Sequence, residues 1–319
     1  MARSLVLGSV LLASAGVAAA AYAAEMPSWA YPLNPPTPVI QTKDDGSPQR
    51  VPNSNVAMTR QQIGARGTVP DWHPDEHPQM PDVVAKGREP AVRACGYCHQ
   101  PSGAGRPENA ALTGLTPAYI KQQVQNFKNG DRTGSEPKRT PQNLMMGIAK
   151  AVTDAEVEEA AKYFSSIKPV SFVKVVEANT VPKTTVVGGM MAKHPEGGSE
   201  AIGSRIIEVS DNTDVAELRD SRTTYTAYVP TGSLKKGEAL VTSGGSGKTL
   251  QCGICHGPDL KGLGDVPRIA GRSPSYLIRQ LYDIQNGTRG NAPLMKQVVA
   301  KLDNDDMVAI AAYVASREP

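Results

Sequence analysis

Cys252-Gly253-Ile254-Cys255-His256 decides how this chain is read, and Cys95-Gly96-Tyr97-Cys98-His99 states the same pattern 157 residues earlier. Cys-x-x-Cys-His is the attachment sequence of a c-type haem. Two thiols two residues apart add across the vinyl groups, and the adjacent imidazole reaches the iron. All 4 cysteines of the chain lie in these two motifs. A thioredoxin-like dithiol needs no histidine after it. A structural zinc site would have to join pairs 157 residues apart and would leave His99 and His256 unexplained. Plain disulfides in an oxidising compartment are the remaining alternative.

The match between the copies runs well beyond the motif. At the same offset of 157, Thr116-Pro117 falls on Ser273-Pro274 and Gly130 on Gly287. Thr116 and Ser273 read as helix N-caps with proline in the first turn, and each glycine closes its helix. Ile120, Gln123, Val124 and Phe127 mark one helix face; Leu277, Leu281 and Ile284 mark the other. Past Arg132 the offset drops to 150, because the first copy carries seven extra loop residues. Met145 then meets Met295, Val152 meets Leu302 and Glu156 meets Asp306. Thr153-Asp154-Ala155-Glu156 is a capping box opening a last helix with Val157, Ala160, Ala161 and Phe164 inward. Met307, Ile310, Ala311 and Val314 form the corresponding stripe. A short helix is expected over Asp82–Lys86 and a polar loop over Asp131–Asn143. A repeat that holds register in this way is a duplication.

The organisation follows. Residues 1–24 read as a secretory signal, with Ala21-Tyr22-Ala23 as an A-x-A site and cleavage after Ala23, so a periplasmic location is expected. An uncleaved membrane anchor is the alternative. Residues 25–81 hold 11 of the 26 prolines and form an irregular arm. Both tryptophans, Trp29 and Trp72, lie there, so the arm is expected to rest on the folded body. Residues 82–168 and 233–319 are the two haem units, and residues 169–232 are a β-rich insert. In that insert VKVVEANTVP, SRIIEVS and TTYTAYVP read as three or four strands of a small sheet. The fold class is mainly α.

Charge narrows the partners. A net charge of +3 over 319 residues, with a mean hydropathy of −0.33, excludes a nucleic-acid footprint. Residues 82–168 carry 12 basic and 9 acidic side chains and residues 233–319 carry 11 and 8, whereas both flanking stretches are net −2. Excess cations in the haem units are read first as neutralising the propionates and as ordinary solvated charge, with a docking patch for an acidic redox partner as the sharper alternative. His73, His77 and His194 are the spare histidines; the DWHPDEHPQM stretch at Asp71–Met80 would make a metal site, supply an alternative iron ligand, or be a structural or surface feature.

An iron held by one histidine lacks a ligand on its other face, and methionine there favours electron transfer. Met295 follows its histidine by 39 residues and Met145 by 46. Methionine also fills gaps in a core. The two coincide in the duplicated register, however, whereas Met146 has Lys296 as its counterpart, so Met145 is preferred.

The AGRSPSYLIRQLYDIQNGTRG and LMKQVVAKLDNDDMVAIAAYVAS stretches at 270–290 and 294–316, and their counterparts TGLTPAYIKQQVQNFKNGDRTG and LMMGIAKAVTDAEVEEAAKYFSS, resemble the di-haem cytochromes c with two tandem class I domains, the c-four group. The resemblance implies two covalently attached haem c groups bound at Cys95, Cys98, Cys252 and Cys255. Iron ligands would be His99 with Met145 and His256 with Met295. It further implies periplasmic electron carriage between a donor dehydrogenase or cytochrome complex and an acceptor oxidase or reductase, with no catalytic residue. Membrane contact would come only through partners or a retained signal anchor. The arm and the insert depart from the compact members. So does Ala110, which stands where Pro267 would offer a carbonyl to the histidine in the second unit; Ala110 itself, or a neighbour such as Pro107, would have to supply it. The alternatives are a peroxidase-like di-haem enzyme, and a cytochrome subunit of a dehydrogenase complex.

Overall fold

A computed structural model describes residues 24–40 and 44–319; the signal segment and its cleavage site after Ala23 lie outside the described residues. Among the described residues the arm contains one short α-helix, α1 (Arg60–Gly64), and the first unit follows as α2 (Asp82–Ala85), α3 (Cys95–His99), α4 (Pro117–Asn129), α5 (Thr140–Ala151) and α6 (Asp154–Ser166). Then come β1 (Val173–Glu177), β2 (Thr180–Pro182), β3 (Thr184–Val187), β4 (Met190–Lys193), β5 (Ser199–Ala201), β6 (Ile207–Ser210), α7 (Thr213–Glu217) and β7 (Tyr225–Val229). The second unit comprises α8 (Ser233–Ser243), α9 (Gly253–His256), α10 (Pro274–Asn286), α11 (Pro293–Val299) and α12 (Asn304–Ala315).

Local chemistry sets most helix ends. The Thr116 and Ser273 hydroxyls accept from the amides of Tyr119 and Tyr276, and Gly130 and Gly287 end α4 and α10 at φ 84° and 85°. Only glycine takes that left-handed turn without strain. Thr153 and Glu156 form the reciprocal cap of α6, and Asp303 and Asp306 form that of α12. Each such cap contributes about 1 kcal/mol. One expectation needs shortening: α5 begins at Thr140, inside the stretch read as a loop to Asn143, because Pro141 fits a first helical turn.

The insert is richer than three or four strands. A three-stranded sheet runs in the order β1-β7-β6, with β1 parallel and β6 antiparallel to β7. β2 pairs with β5, and β3 with β4 across a turn at Gly188-Gly189, where both residues have positive φ. The VKVVEANTVP run splits into β1 and β2. Short β-branched runs do not disclose parallel pairing between segments some 50 residues apart, and the MMAK half of a hairpin has no strand signature of its own.

Two cores result. One gathers Val84, Val92, Leu115, Ile120, Ala161 and Phe164. The larger joins the second unit to the sheet and to the start of the arm, and holds Ile278, Met307, Ala311, Tyr225, Ala227 and Tyr31. α12 is therefore buried on nearly every side rather than along one stripe. The arm lies on this body. Trp72 is 2% exposed, and its Nε1–H donates to the Leu218 carbonyl at 2.8 Å. The Tyr31 hydroxyl donates to Asp283 Oδ1 at 2.7 Å. Among the described residues, no helix is long and apolar enough to cross a membrane.

Candidate functional site

Each attachment motif forms one helical turn followed by a backbone reversal. After His99, Gln100 takes φ 68°, and after His256, Gly257 takes φ 81°. The amide of Gly105 then donates to the His99 carbonyl at 3.0 Å, and that of Gly262 to the His256 carbonyl at 2.8 Å. The reversal swings a loop under each ring. His99 Nδ1 lies 2.8 Å from the Ala110 carbonyl, and His256 Nδ1 lies 2.8 Å from the Pro267 carbonyl. A carbonyl only accepts, so each Nδ1 carries the proton and each Nε2 keeps its lone pair. Ala110, not Pro107, is thus the acceptor in the first unit. Burial pulls both imidazoles below the ordinary histidine range, which keeps them neutral and able to bind a metal.

Cys95, Cys98, His99 and Met145 line one cavity of about 330 Å³. Met146 is not among its lining residues, and neither are His73, His77 and His194. The wall is apolar along Leu112, Ile120, Val124, Phe127 and Ile148. Phe164 meets the His99 ring edge-on, with centroids 6.2 Å apart. Arg132, Arg139, Arg272 and Arg279 line it too, each less than a tenth exposed. Burial drags the guanidiniums of Arg132, Arg139 and Arg279 down, which marks positive charge in need of an anion. Among the described residues, Arg139 Nε and Arg272 Nε have no hydrogen-bond partner. An apolar slot with orphaned guanidinium N–H groups in its lining fits a haem, a flat apolar ring bearing two carboxylates. Burial also raises the Cys95 thiol to about 12 and the Cys252 thiol to about 11, the reverse of an activated redox dithiol.

The second unit is more open. His256 is buried, Cys255 is exposed, and Cys252 and Met295 pack at the margin of the larger core. Leu250, Ile254, Leu263 and Leu294, on the segments that carry these residues, are each at least 60% exposed.

Between the units lies a group that the motif reading missed. Arg132 donates to Gln123 of its own unit at 2.9 Å and to Tyr276 and Gln280 of the other at 2.9 and 2.7 Å. Arg289 reciprocates, donating to Gln280 at 3.0 Å and to Tyr119 and Gln123 at 2.7 and 3.0 Å. All three residue types recur at the offset of 157, so the units face each other across a pseudo-twofold axis. Identical polar residues at identical register were the available signal. Burial would raise the Tyr276 phenol, but Arg132, Arg272 and Arg289 outweigh it and hold it well below the usual range.

The spare histidines are engaged elsewhere. His73 Nε2 meets Asp220 Oδ1 at 3.0 Å, and both are buried. His77 lies 3.2 Å from Asp71 and 2.9 Å from the Pro78 carbonyl, and its ring stands edge-on to Tyr163. His194 sits beyond β4, half-buried. Among the described residues, no three His, Cys, Asp or Glu side chains are grouped to hold a metal ion.

Two helical units that each close on a Cys-x-x-Cys-His turn and carry the imidazole with its Nε2 free define a covalent haem protein. The cytochrome c family model matches residues 84–168. Cytochrome c-554(548) of Halomonas halodenitrificans is 38% identical over 77 residues, which cover 93% of that protein and 23% of this chain. The thiosulfate dehydrogenase electron acceptor of Stutzerimonas stutzeri is 26% identical over 235 residues, covering 72% of this chain and 82% of that one. Cytochrome c4 of Azotobacter vinelandii is 26% identical over 241 residues, 73% of this chain and 88% of its own. The chain belongs to the cytochrome c family, has a c4-like architecture and binds haem c covalently.

Proposed function

We propose that this protein is a periplasmic carrier of electrons with two haems, each held between a histidine and a methionine. One observation carries the reading: in both units Nδ1–H of the motif histidine is committed to a carbonyl eleven positions on, at 2.8 Å, so that Nε2 is the nitrogen left for iron. Bound haem c supplies one-electron exchange between ferric and ferrous iron. The chain supplies the rest. Cys95 with Cys98, and Cys252 with Cys255, anchor the rings. Met145 and Met295 complete the iron coordination and leave no open position for a substrate. Arg132 and Arg139, which line the first cavity, receive the carboxylates there. The pseudo-twofold contact of Arg132 and Arg289 holds the units in one register for transfer between them.

A peroxidase-like reading needs an exchangeable histidine near one iron. His73 and His77 are instead tied to Asp220 and Asp71, and neither lines the first cavity. The relative named as a thiosulfate dehydrogenase electron acceptor supports a dehydrogenase as donor, and exposed Leu250, Ile254, Leu263 and Leu294 offer an apolar face on the second unit for a protein partner. The test is optical. Met145→Ala and Met295→Ala each remove one Met–iron charge-transfer band, Met146→Ala removes neither, and no variant is needed to find peroxide turnover negligible. A band that survives its substitution, or rapid peroxide turnover by the wild type, refutes the assignment.

A further inference from the structure

The loop that offers a carbonyl to the proximal histidine is built differently in the two units. In the second, the acceptor belongs to Pro267, whose ring fixes its own φ and stiffens the loop. In the first, the acceptor is Ala110, which has no such constraint, yet the distance is the same 2.8 Å. The surrounding carbonyls show what holds it. Arg279 donates to the Pro107 carbonyl. Arg272 Nη2 donates to the Ala111 carbonyl at 2.7 Å. Arg268 Nε donates to the Thr113 carbonyl at 2.8 Å, and its Nη2 reaches Thr113 Oγ1 at 3.3 Å. Arg139, of the first unit itself, reaches the Glu108 carbonyl at 3.4 Å. Ala110 is thus flanked on both sides by carbonyls pinned to buried guanidiniums, three of them from the second unit.

The arrangement runs one way. At the offset of 157, Arg268, Arg272 and Arg279 correspond to Ala111, Leu115 and Gln122, so the first unit has no guanidiniums at these positions to return to the second. The three arginines are each 3–4% exposed, and no carboxylate among the described residues forms a salt bridge with them. Burying three unpaired guanidiniums is costly unless their N–H groups find acceptors. Carbonyl oxygens of Pro107, Ala111 and Thr113 are acceptors, alongside those of Ala30, Ala270 and Arg268, and Gly114 is what lets Arg268 come close, since a Cβ there would stand 2.6 Å from its Cδ.

We infer that Arg272, assisted by Arg268 and Arg279, is a positioning residue that acts across the interface to hold the Ala110 carbonyl on His99, replacing the proline of the second unit. The strength of the imidazole–carbonyl bond tunes the ligand's basicity, so the first haem's environment depends on the docking of the second unit and not the reverse. This rests on His99 being the axial ligand proposed above.

The test is proton exchange in the reduced, haem-loaded protein, followed by NMR at His99 Nδ1–H with His256 Nδ1–H as internal reference. In Arg272→Met the His99 proton exchanges at least tenfold faster, which is about 1.4 kcal/mol less protection, while the His256 proton is unchanged. Ala110→Pro added to Arg272→Met restores the slow exchange, since the counterpart loop uses that residue and no hydrogen bond of the Ala110 amide is formed. Arg272→Lys, which keeps the charge and one donor, gives an intermediate rate and decides the matter if Arg272→Met does not load haem. Equal acceleration at both histidines, or none at His99, overturns the inference. Failure of the ligand assignment itself is separable, because His99 ring protons would then lack the ring-current displacement of an axial ligand in the wild type.

Discussion

The same substitution at two helical glycines should act with opposite sign. Gly237 lies in the middle of α8, where that helix crosses α12. A Cβ at this position would stand 2.7 Å from both the Ala309 carbonyl carbon and Tyr313 Cβ, and closer still to the Ala309 oxygen. Ordinary contact begins near 3.4 Å, so Gly237→Ala forces the two helices apart by about 1 Å, which forfeits a quarter to a half of the dispersion at the crossing. Overpacking of this kind costs about 1–3 kcal/mol, and here it has the closest backbone contact in the unit to relieve; the gain in helix propensity returns about 1 kcal/mol. A net loss of about 2 kcal/mol is expected. Gly147 in α5 has an ordinary helical φ and nothing within 4 Å of its would-be Cβ, so Gly147→Ala keeps the propensity gain, roughly 0.5–1 kcal/mol of stabilisation. Guanidinium unfolding of the haem-loaded protein, followed by far-ultraviolet dichroism and by haem absorbance, reads both. Because the Val241 carbonyl of α8 holds the Cys252 amide at 3.0 Å, the Gly237 variant should also disturb the second haem's spectrum. A Gly237→Ala protein as stable as wild type would refute the close crossing on which the reasoning depends.

Two further outcomes are expected. His77 has acceptors on both ring nitrogens, Asp71 and the Pro78 carbonyl, so its imidazolium is favoured and its pKa is raised, first by the bond to Asp71. A raised folded pKa gives stability that is full below the unfolded value near 6.5 and is lost as pH rises through the folded one; proteolysis of residues 44–81 should therefore quicken as pH rises above the ordinary histidine value, and Asp71→Asn should abolish that dependence. Arg132→Leu and Arg289→Leu should each loosen the junction, and because they share Gln123 and Gln280, the double variant should fall short of the sum by about 0.5–3 kcal/mol in a double-mutant cycle.

What the residues disclose in advance divides by range. Thr116, Gly130, Thr153 and their counterparts act within one turn of their own helix, so their types and spacing suffice to place helix ends. The duplicated register locates His99 and Met145 against His256 and Met295 for the same reason, since a repeat compares a chain with itself. The arginines resist such reading. Arg268, Arg272 and Arg279 look like the polar side of a surface helix or its lead-in, and only partners 155–172 positions away in sequence make them interior. The β1–β7 pairing fails for an allied reason: parallel neighbours leave no turn between them to recognise.

The departures of the first unit from the second then have a common form. Where the second unit has the full helix α8, the first has the four residues of α2, because Pro78 and Pro81 forbid helix over the preceding stretch. In the second unit Tyr313 lies against Gly237 of α8; its counterpart Tyr163 lies against His77 of the arm. Tyr97, between the first pair of cysteines, carries the Arg219 guanidinium 4.1 Å from its ring centroid, whereas Ile254 in the same place on the second motif is 65% exposed. Ala110 is held by arginines where Pro267 holds itself. In each case a support internal to one copy is supplied to the other from the arm, the insert or the second unit. The first haem site is therefore composite, assembled from parts of the whole chain, and its properties are open to change from surfaces remote in sequence; the second has its own supports and keeps a free face toward solvent.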